Sequence, residues 1–229
     1  MVNINEFCDR LIMDMTSHLR QRSRMDLLCQ SRASCKAIVK SCIDIEPDYV
    51  LELGTNYGLS TLSLAYALTI LGKCLSALTT IDIDHGHWLN ETPDIQRGLL
   101  LNAGIDLKNI RVVSGDFNLL NPQWLLKEGK VLVFYDIHDT GSVSYMKKFI
   151  EEWIPLFDHG YVMVHDCYPL GRAYWIDRNN PDLPVSSAKH FSGLSLEGYG
   201  ECKVLIDWLN EQKRSVCIFP EVPTIKFTI

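Results

Sequence analysis

Short β-rich runs alternate with longer segments of helical period along most of this 229-residue chain. The runs are Tyr49–Leu53, Leu78–Ile83, Ile110–Val113, Val131–Tyr135 and Tyr161–Val164. Between and beyond them lie Leu59–Leu71, Thr92–Asn102, Asn121–Lys127 and Val143–Phe157. Strands that alternate with helices build βαβ units and a parallel sheet. Near-continuous apolar strands such as Val-Leu-Val-Phe-Tyr fit a sheet covered on both faces. In the Val143–Phe157 segment, Val143, Met146, Phe149, Ile150, Trp153 and Phe157 share one helical face, which turns Lys147, Lys148, Glu151 and Glu152 outward.

The ends of the chain depart from this rhythm. Residues 1–45 read as a helical extension, through Phe7, Leu11, Ile12, Met15 and Leu19 and then Leu27 to Ile43, suited to an appended layer or a homodimer contact. Residues 46–167 carry the alternating core. Residues 168–196, with Pro169, Gly171, Asn179, Asn180, Pro181, Pro184 and Gly193, form an irregular, lid-like stretch. In residues 197–229 a helix (Gly200–Gln212) precedes two strands, Ser215–Phe219 and Thr224–Ile229, whose short Pro-Glu-Val-Pro connection pairs them antiparallel. The expectation is a single α/β domain. Its sheet would be doubly wound, mostly parallel, seven-stranded and Rossmann-like, with an antiparallel last strand and the N-terminal helical extension.

Composition narrows the function classes. A content of 47% hydrophobic and 22% charged residues is that of an ordinary globular protein. The net charge of −6, from 22 Lys and Arg against 28 Asp and Glu, repels phosphate backbones and argues against general nucleic-acid binding. Arg20, Arg22, Arg24, Arg32 and Lys36 read as a solvated helix face. None of the 8 cysteines forms a Cys-x-x-Cys pair, so they read as small buried hydrophobes in a reducing compartment. Glu6, Asp9 and Arg10 interrupt any signal-peptide pattern. The uncharged run from Gly54 to Gly72 holds a helix of only about 20 Å, short of the roughly 30 Å hydrocarbon core. A cytoplasmic protein with no membrane partner is expected.

In an open α/β sheet, ligands bind outside the carboxyl ends of the strands. Those ends read Glu52-Leu-Gly54-Thr55-Asn56-Tyr57-Gly58, then Asp82 and Asp84, Gly115-Asp116, Asp136-Ile-His138-Asp139, and His165-Asp166-Cys167. A dinucleotide loop requires Gly-x-Gly-x-x-Gly. Here the spacing is Gly54-x-x-x-Gly58, and Asn56 stands where the middle glycine would be. Glu52 before the loop repels a pyrophosphate and attracts an ammonium group. Both features favour a cationic, aminoacyl-bearing nucleoside over a nicotinamide cofactor. Asp82 is placed to accept hydrogen bonds from ribose hydroxyls. His138 and His165 are candidate general bases, a role for which histidine is suited near neutral pH, while Asp139 suits either that role or a helix cap near Ser142.

The string Leu-Glu-Leu-Gly-Thr-Asn-Tyr-Gly-Leu-Ser resembles motif I of class I S-adenosylmethionine-dependent methyltransferases. The likeness is to the small-molecule O-methyltransferases related to the catechol and caffeoyl-coenzyme A enzymes, and to bacterial sugar and macrolide O-methyltransferases. It runs through TIDID, VVSGDF, VFYDIHD and GYVMVHDC, from Tyr49 to Cys167. The resemblance implies S-adenosylmethionine as cofactor and a small-molecule acceptor methylated on a hydroxyl or, second, an amine. It implies that Glu52, Gly54, Thr55, Asn56, Tyr57, Gly58 and Ser60 surround the methionine end of the cofactor. Asp82 would take the ribose, and Asp116 and Phe117 the adenine. Asp136 matches the acid that closes the fourth strand, beside the cofactor, and with Asp166 would hold Mg²⁺ or another divalent metal, as in metal-dependent members. The third ligand of those members falls on Cys167, a thiol, and their catalytic lysine has no counterpart. His138, Asp139 and His165 are then the candidate catalytic residues. A hydroxylase-like member of the same fold and a non-catalytic binding protein are the alternatives.

Overall fold

A computed structural model describes residues 3–21, 32–56, 58–83, 103–125, 127–137, 142–165, 167, 175–176, 184–185, 197–219 and 224–229. Two helices, α1 (Ile4–Gln21) and α2 (Arg32–Ile45), precede the first strand, β1 (Tyr49–Leu53). Then come α3 (Leu59–Ile70), β2 (Leu78–Asp82), β3 (Arg111–Ser114), β4 (Lys130–Tyr135), α4 (Ser142–Lys148) and β5 (His159–His165). A two-residue ladder of β6 (Trp175–Ile176) and β7 (Pro184–Val185) lies inside the stretch expected to be irregular. The chain ends with α5 (Glu197–Glu211), β8 (Val216–Phe219) and β9 (Thr224–Thr228).

The main sheet has seven strands in the order β3-β2-β1-β4-β5-β9-β8. β1 pairs in parallel with β2 and β4, β4 with β5, and β2 with β3, while β9 runs antiparallel to both β5 and β8. This is the doubly wound sheet with an antiparallel last strand that the sequence pattern implies. The order reverses between β1 and β4, which opens the crevice where such sheets bind ligands.

Period-two alternation splits the strand residues between two cores. Val50, Leu78, Leu132, Phe134 and Met163 face α1, α2 and α3, where Phe7, Leu11, Ile38, Val39 and Leu62 complete one buried cluster. Leu51, Leu53, Val131, Val133, Tyr135 and Val162 face Met146, Phe149, Trp153, Leu205 and Leu209 on the other side. Phe7, Cys8 and Leu11 of α1 have no exposure, and the Phe7 ring stacks on Tyr66 at 3.8 Å.

The turn from α2 into β1 is closed by lysines. Lys130 Nζ donates to the Ile45 carbonyl at 2.7 Å and Lys73 Nζ to that of Pro47 at 2.5 Å, placing cations at the negative end of the helix. Among the described cysteines, Cys8, Cys35, Cys42 and Cys167 are the buried hydrophobes expected, whereas Cys74 and Cys217 are exposed. Burial pushes the thiols of Cys8 and Cys42 up to about 12 and that of Cys35 to about 11. No helix among the described residues is long and apolar enough to cross a membrane.

Two segments differ from the sequence expectation. Asn121–Lys127 is not a helix: its described part is a single 3-10 turn, Pro122–Trp124, started by Pro122 and capped by the Asn121 side chain. A segment this short cannot offset the cost of helix nucleation. The expected helix Val143–Phe157 is broken into α4, a π turn over Phe149–Trp153 and a 3-10 turn over Ile154–Leu156. Pro155 lacks the amide needed to continue an α-helix. Thr92–Asn102 lies outside the described residues.

Candidate active site

Parallel pairing continues past the strands and aligns their carboxyl ends. Gly54 donates its amide to Ile81, Asp136 to Leu53, and Gly115 to Asp82, all at 2.8–2.9 Å. Gly54 has φ +98°, and a Cβ there would stand 2.4 Å from the Asp136 carbonyl oxygen. Only glycine lets β1 leave the sheet so close to β4. Asn56 (φ +46°) and Gly58 (φ +77°) turn the chain back, and the Gly58 amide bonds the Thr55 carbonyl at 2.8 Å. Asparagine tolerates this left-handed conformation better than most residues. α3 begins at once, with no side chain capping its first turn at Gly58.

Asp82, expected at the ribose, also holds this loop. Its Oδ2 accepts the amides of Thr55 and Asn56, both at 2.8 Å. The Thr55 hydroxyl bonds that of Thr80 on β2. The loop is thus fastened to β2 by a carboxylate and a hydroxyl before any ligand arrives.

Glu52 lies beneath the loop with no exposure. The Thr61 hydroxyl donates to its Oε2 at 2.6 Å, and Oε1 has no partner at hydrogen-bond geometry among the described residues. Burial pushes its pKa up to about 7, against the pull of the Ser60, Thr61 and Thr80 hydroxyls, and the nearby Asp136 carboxylate raises it further. A carboxylate in this state gains most from a cation brought beside it. Thr61 and Thr80 were missed by the sequence reading. Hydroxyls at fully buried positions of an otherwise apolar strand and helix were the signal that could have found them.

At the ends of β4 and β5, Asp136 and His165 meet. His165 Nδ1 lies 3.1 Å from Asp136 Oδ1, with the two side chains 2% and 13% exposed. A carboxylate can only accept, so Nδ1 carries the proton and Nε2 is the basic nitrogen. Cys167 follows, buried among the apolar residues on the α4 side of the sheet. A hard divalent cation requires oxygen donors. A thiol in the apolar core and an Asp136 oxygen already bonded to histidine do not make that set, and no group of three or more His, Cys, Asp or Glu is placed to hold a metal among the described residues.

After β3, Asp116 forms a tight turn in which its Oδ1 accepts the Asn118 amide at 2.8 Å. The Phe117 ring is buried and packs on Trp153, with centroids 4.6 Å apart. Glu52, Gly54, Thr55, Asn56, Gly58, Ser60, Asp82, Asp116, Asp136 and His165 therefore lie along or just beneath one edge of the sheet. Tyr57, His138, Asp139 and Asp166 lie outside the described residues.

Residues 51–167, just over half of the chain, match the family of methyltransferase domains. The chain belongs to that family. No curated protein matches the sequence of this methyltransferase. Its fold is that of the class I S-adenosylmethionine-dependent methyltransferases, as the sequence resemblance implied. A Podospora anserina methyltransferase solved with S-adenosylhomocysteine is 16% identical with TM-score 0.66, over 96% of this chain and 87% of that one. A Streptomyces achromogenes O-methyltransferase of tomaymycin synthesis, solved with S-adenosylmethionine, is 18% identical with TM-score 0.58, over 96% and 88%. A Bacillus cereus O-methyltransferase in complex with S-adenosylhomocysteine is 16% identical with TM-score 0.54, over 94% and 90%.

Proposed function

We propose that this methyltransferase moves a methyl group from S-adenosylmethionine to a hydroxyl oxygen of a small molecule. The observation that carries the reading is Glu52, a fully buried carboxylate beneath the glycine loop, faced by the hydroxyls of Ser60, Thr61 and Thr80 and in no ion pair with a basic side chain among the described residues. A carboxylate there accepts from an ammonium group and repels a pyrophosphate. S-adenosylmethionine, when bound, supplies an electrophilic methyl group on a sulfonium. The loop Gly54–Gly58 with Ser60 would hold the aminoacyl end, Asp82 the ribose, and Asp116 with Phe117 the adenine.

The remaining work falls to residues of this chain. They align the acceptor oxygen, exclude water and remove its proton. His165 would accept that proton at Nε2, because Asp136 orients the ring and compensates the imidazolium that forms. His138 and Asp139, on the loop after β4, are the alternative acceptors. Among the described residues the donors do not suit a hard cation, and Asp166, the second candidate ligand, lies outside them.

The test is methyl transfer from labelled S-adenosylmethionine to a panel of phenols and other hydroxylated small molecules, with and without a chelator. Product should form in both conditions. His165→Gln should lower kcat by about 10²-fold or more while binding of S-adenosylhomocysteine is retained. Binding of NADH in place of S-adenosylhomocysteine would contradict the reading.

A further inference from the structure

Lys147 and Lys148 were both expected to face outward, yet the chain treats them differently. Lys147 is exposed. The Lys148 side chain is only 15% exposed, and its ammonium donates to the Asn118 carbonyl in the turn after β3. The Glu152 carboxylate lies 3.6 Å from the same ammonium. A lysine at the end of α4 had water available to it, as its neighbour shows. Turning inward costs hydration, which a charge-assisted bond to the carbonyl offsets.

The same turn is held a second time from the same side. The Phe117 ring packs on Trp153 of the π turn, with centroids 4.6 Å apart, and meets Tyr145 of α4 edge-on at 6.2 Å. Within the turn, Asp116 accepts the Asn118 amide on its side chain and the Leu119 amide on its carbonyl, at 2.8 and 2.9 Å. The π turn over Phe149–Trp153 widens the helix directly after Lys148, and π turns of this kind recur at functional sites.

We propose that Lys148 is a positioning residue that fixes the Gly115–Leu120 turn in the form that receives the nucleoside end of the ligand. The ligand identity in this statement rests on the function proposed above, but the fixing of the turn does not. Lys148 acts through the Asn118 carbonyl, while Phe117 anchors the turn to the core.

Two variants of the full chain, Lys148→Met and Lys148→Arg, test the role. Without ligand, amide exchange at Leu119 and Leu120 should quicken about 10-fold in Lys148→Met and return close to the wild-type rate in Lys148→Arg. With cofactor, Lys148→Met should weaken S-adenosylhomocysteine binding and raise KM for S-adenosylmethionine about 10-fold. Its kcat at saturating cofactor should stay within twofold of wild type, and Lys148→Arg should again recover. Unchanged exchange in Lys148→Met overturns the proposal, as does a fall in kcat with KM unchanged. If wild type binds no S-adenosylhomocysteine while exchange still responds, the functional reading fails and the turn's attachment to Lys148 stands.

Discussion

At Gly54 any added methyl group would meet the Asp136 carbonyl at 2.4 Å, on a backbone with φ +98°. Gly54→Ala should therefore destabilise the fold by about 3 kcal/mol or more, from strain and overlap together. Thermal denaturation should show a midpoint roughly 10 °C lower. Glu52 gives a pH-dependent prediction. Burial pushes its pKa up to about 7 from the ordinary 4.5 of the unfolded chain, so the native chain keeps a proton that the unfolded chain has released between those values. The stability this gives is fully present below pH 4.5 and is lost as pH rises through about 7, a fall on the order of 3 kcal/mol. Denaturant midpoints of the ligand-free chain should decline across that window in wild type and stay flat in Glu52→Gln.

Among the elements, α1 is an integral layer of the fold. Phe7 packs flat on Tyr66 of α3, the helix that rises from the glycine loop. Phe7→Ala should cost about 4 kcal/mol, read as a lower denaturant midpoint. The strands were legible because a buried parallel strand needs an unbroken apolar run, and Val131–Tyr135 has no other reading of comparable quality. α4 was legible only in its first half. The heptad-like spacing of Met146, Phe149, Ile150 and Trp153 fits an α-helix and a π turn equally well at this length. The inward turn of Lys148 follows from that unread change of helix type and from a carbonyl more than twenty residues earlier in the chain, which no local pattern reveals. The helix expected over Asn121–Lys127 failed for a related reason, since its period matched but its length did not support more than one turn.

For the whole molecule, the acids at the strand ends were legible as a group along one edge of the sheet, because parallel strands end at a common carboxyl edge. What the acids do to one another was not legible. Asp82 bonds the loop amides of Thr55 and Asn56, and Asp136 meets a histidine from β5. These pairings depend on strand register, which sequence alone leaves open. Asp136→Asn should release the tautomer of His165 and lower kcat by about 10²-fold, with thermal stability close to wild type. In the proposed function a cationic aminoacyl nucleoside sits over Glu52. Calorimetric titration of the chain with S-adenosylhomocysteine from pH 6 to pH 8 tests it most directly. One-to-one binding that tightens as pH rises through about 7, with the slope abolished in Glu52→Gln, is the predicted result. Absence of binding in wild type, or binding with the same pH slope in Glu52→Gln, would contradict it.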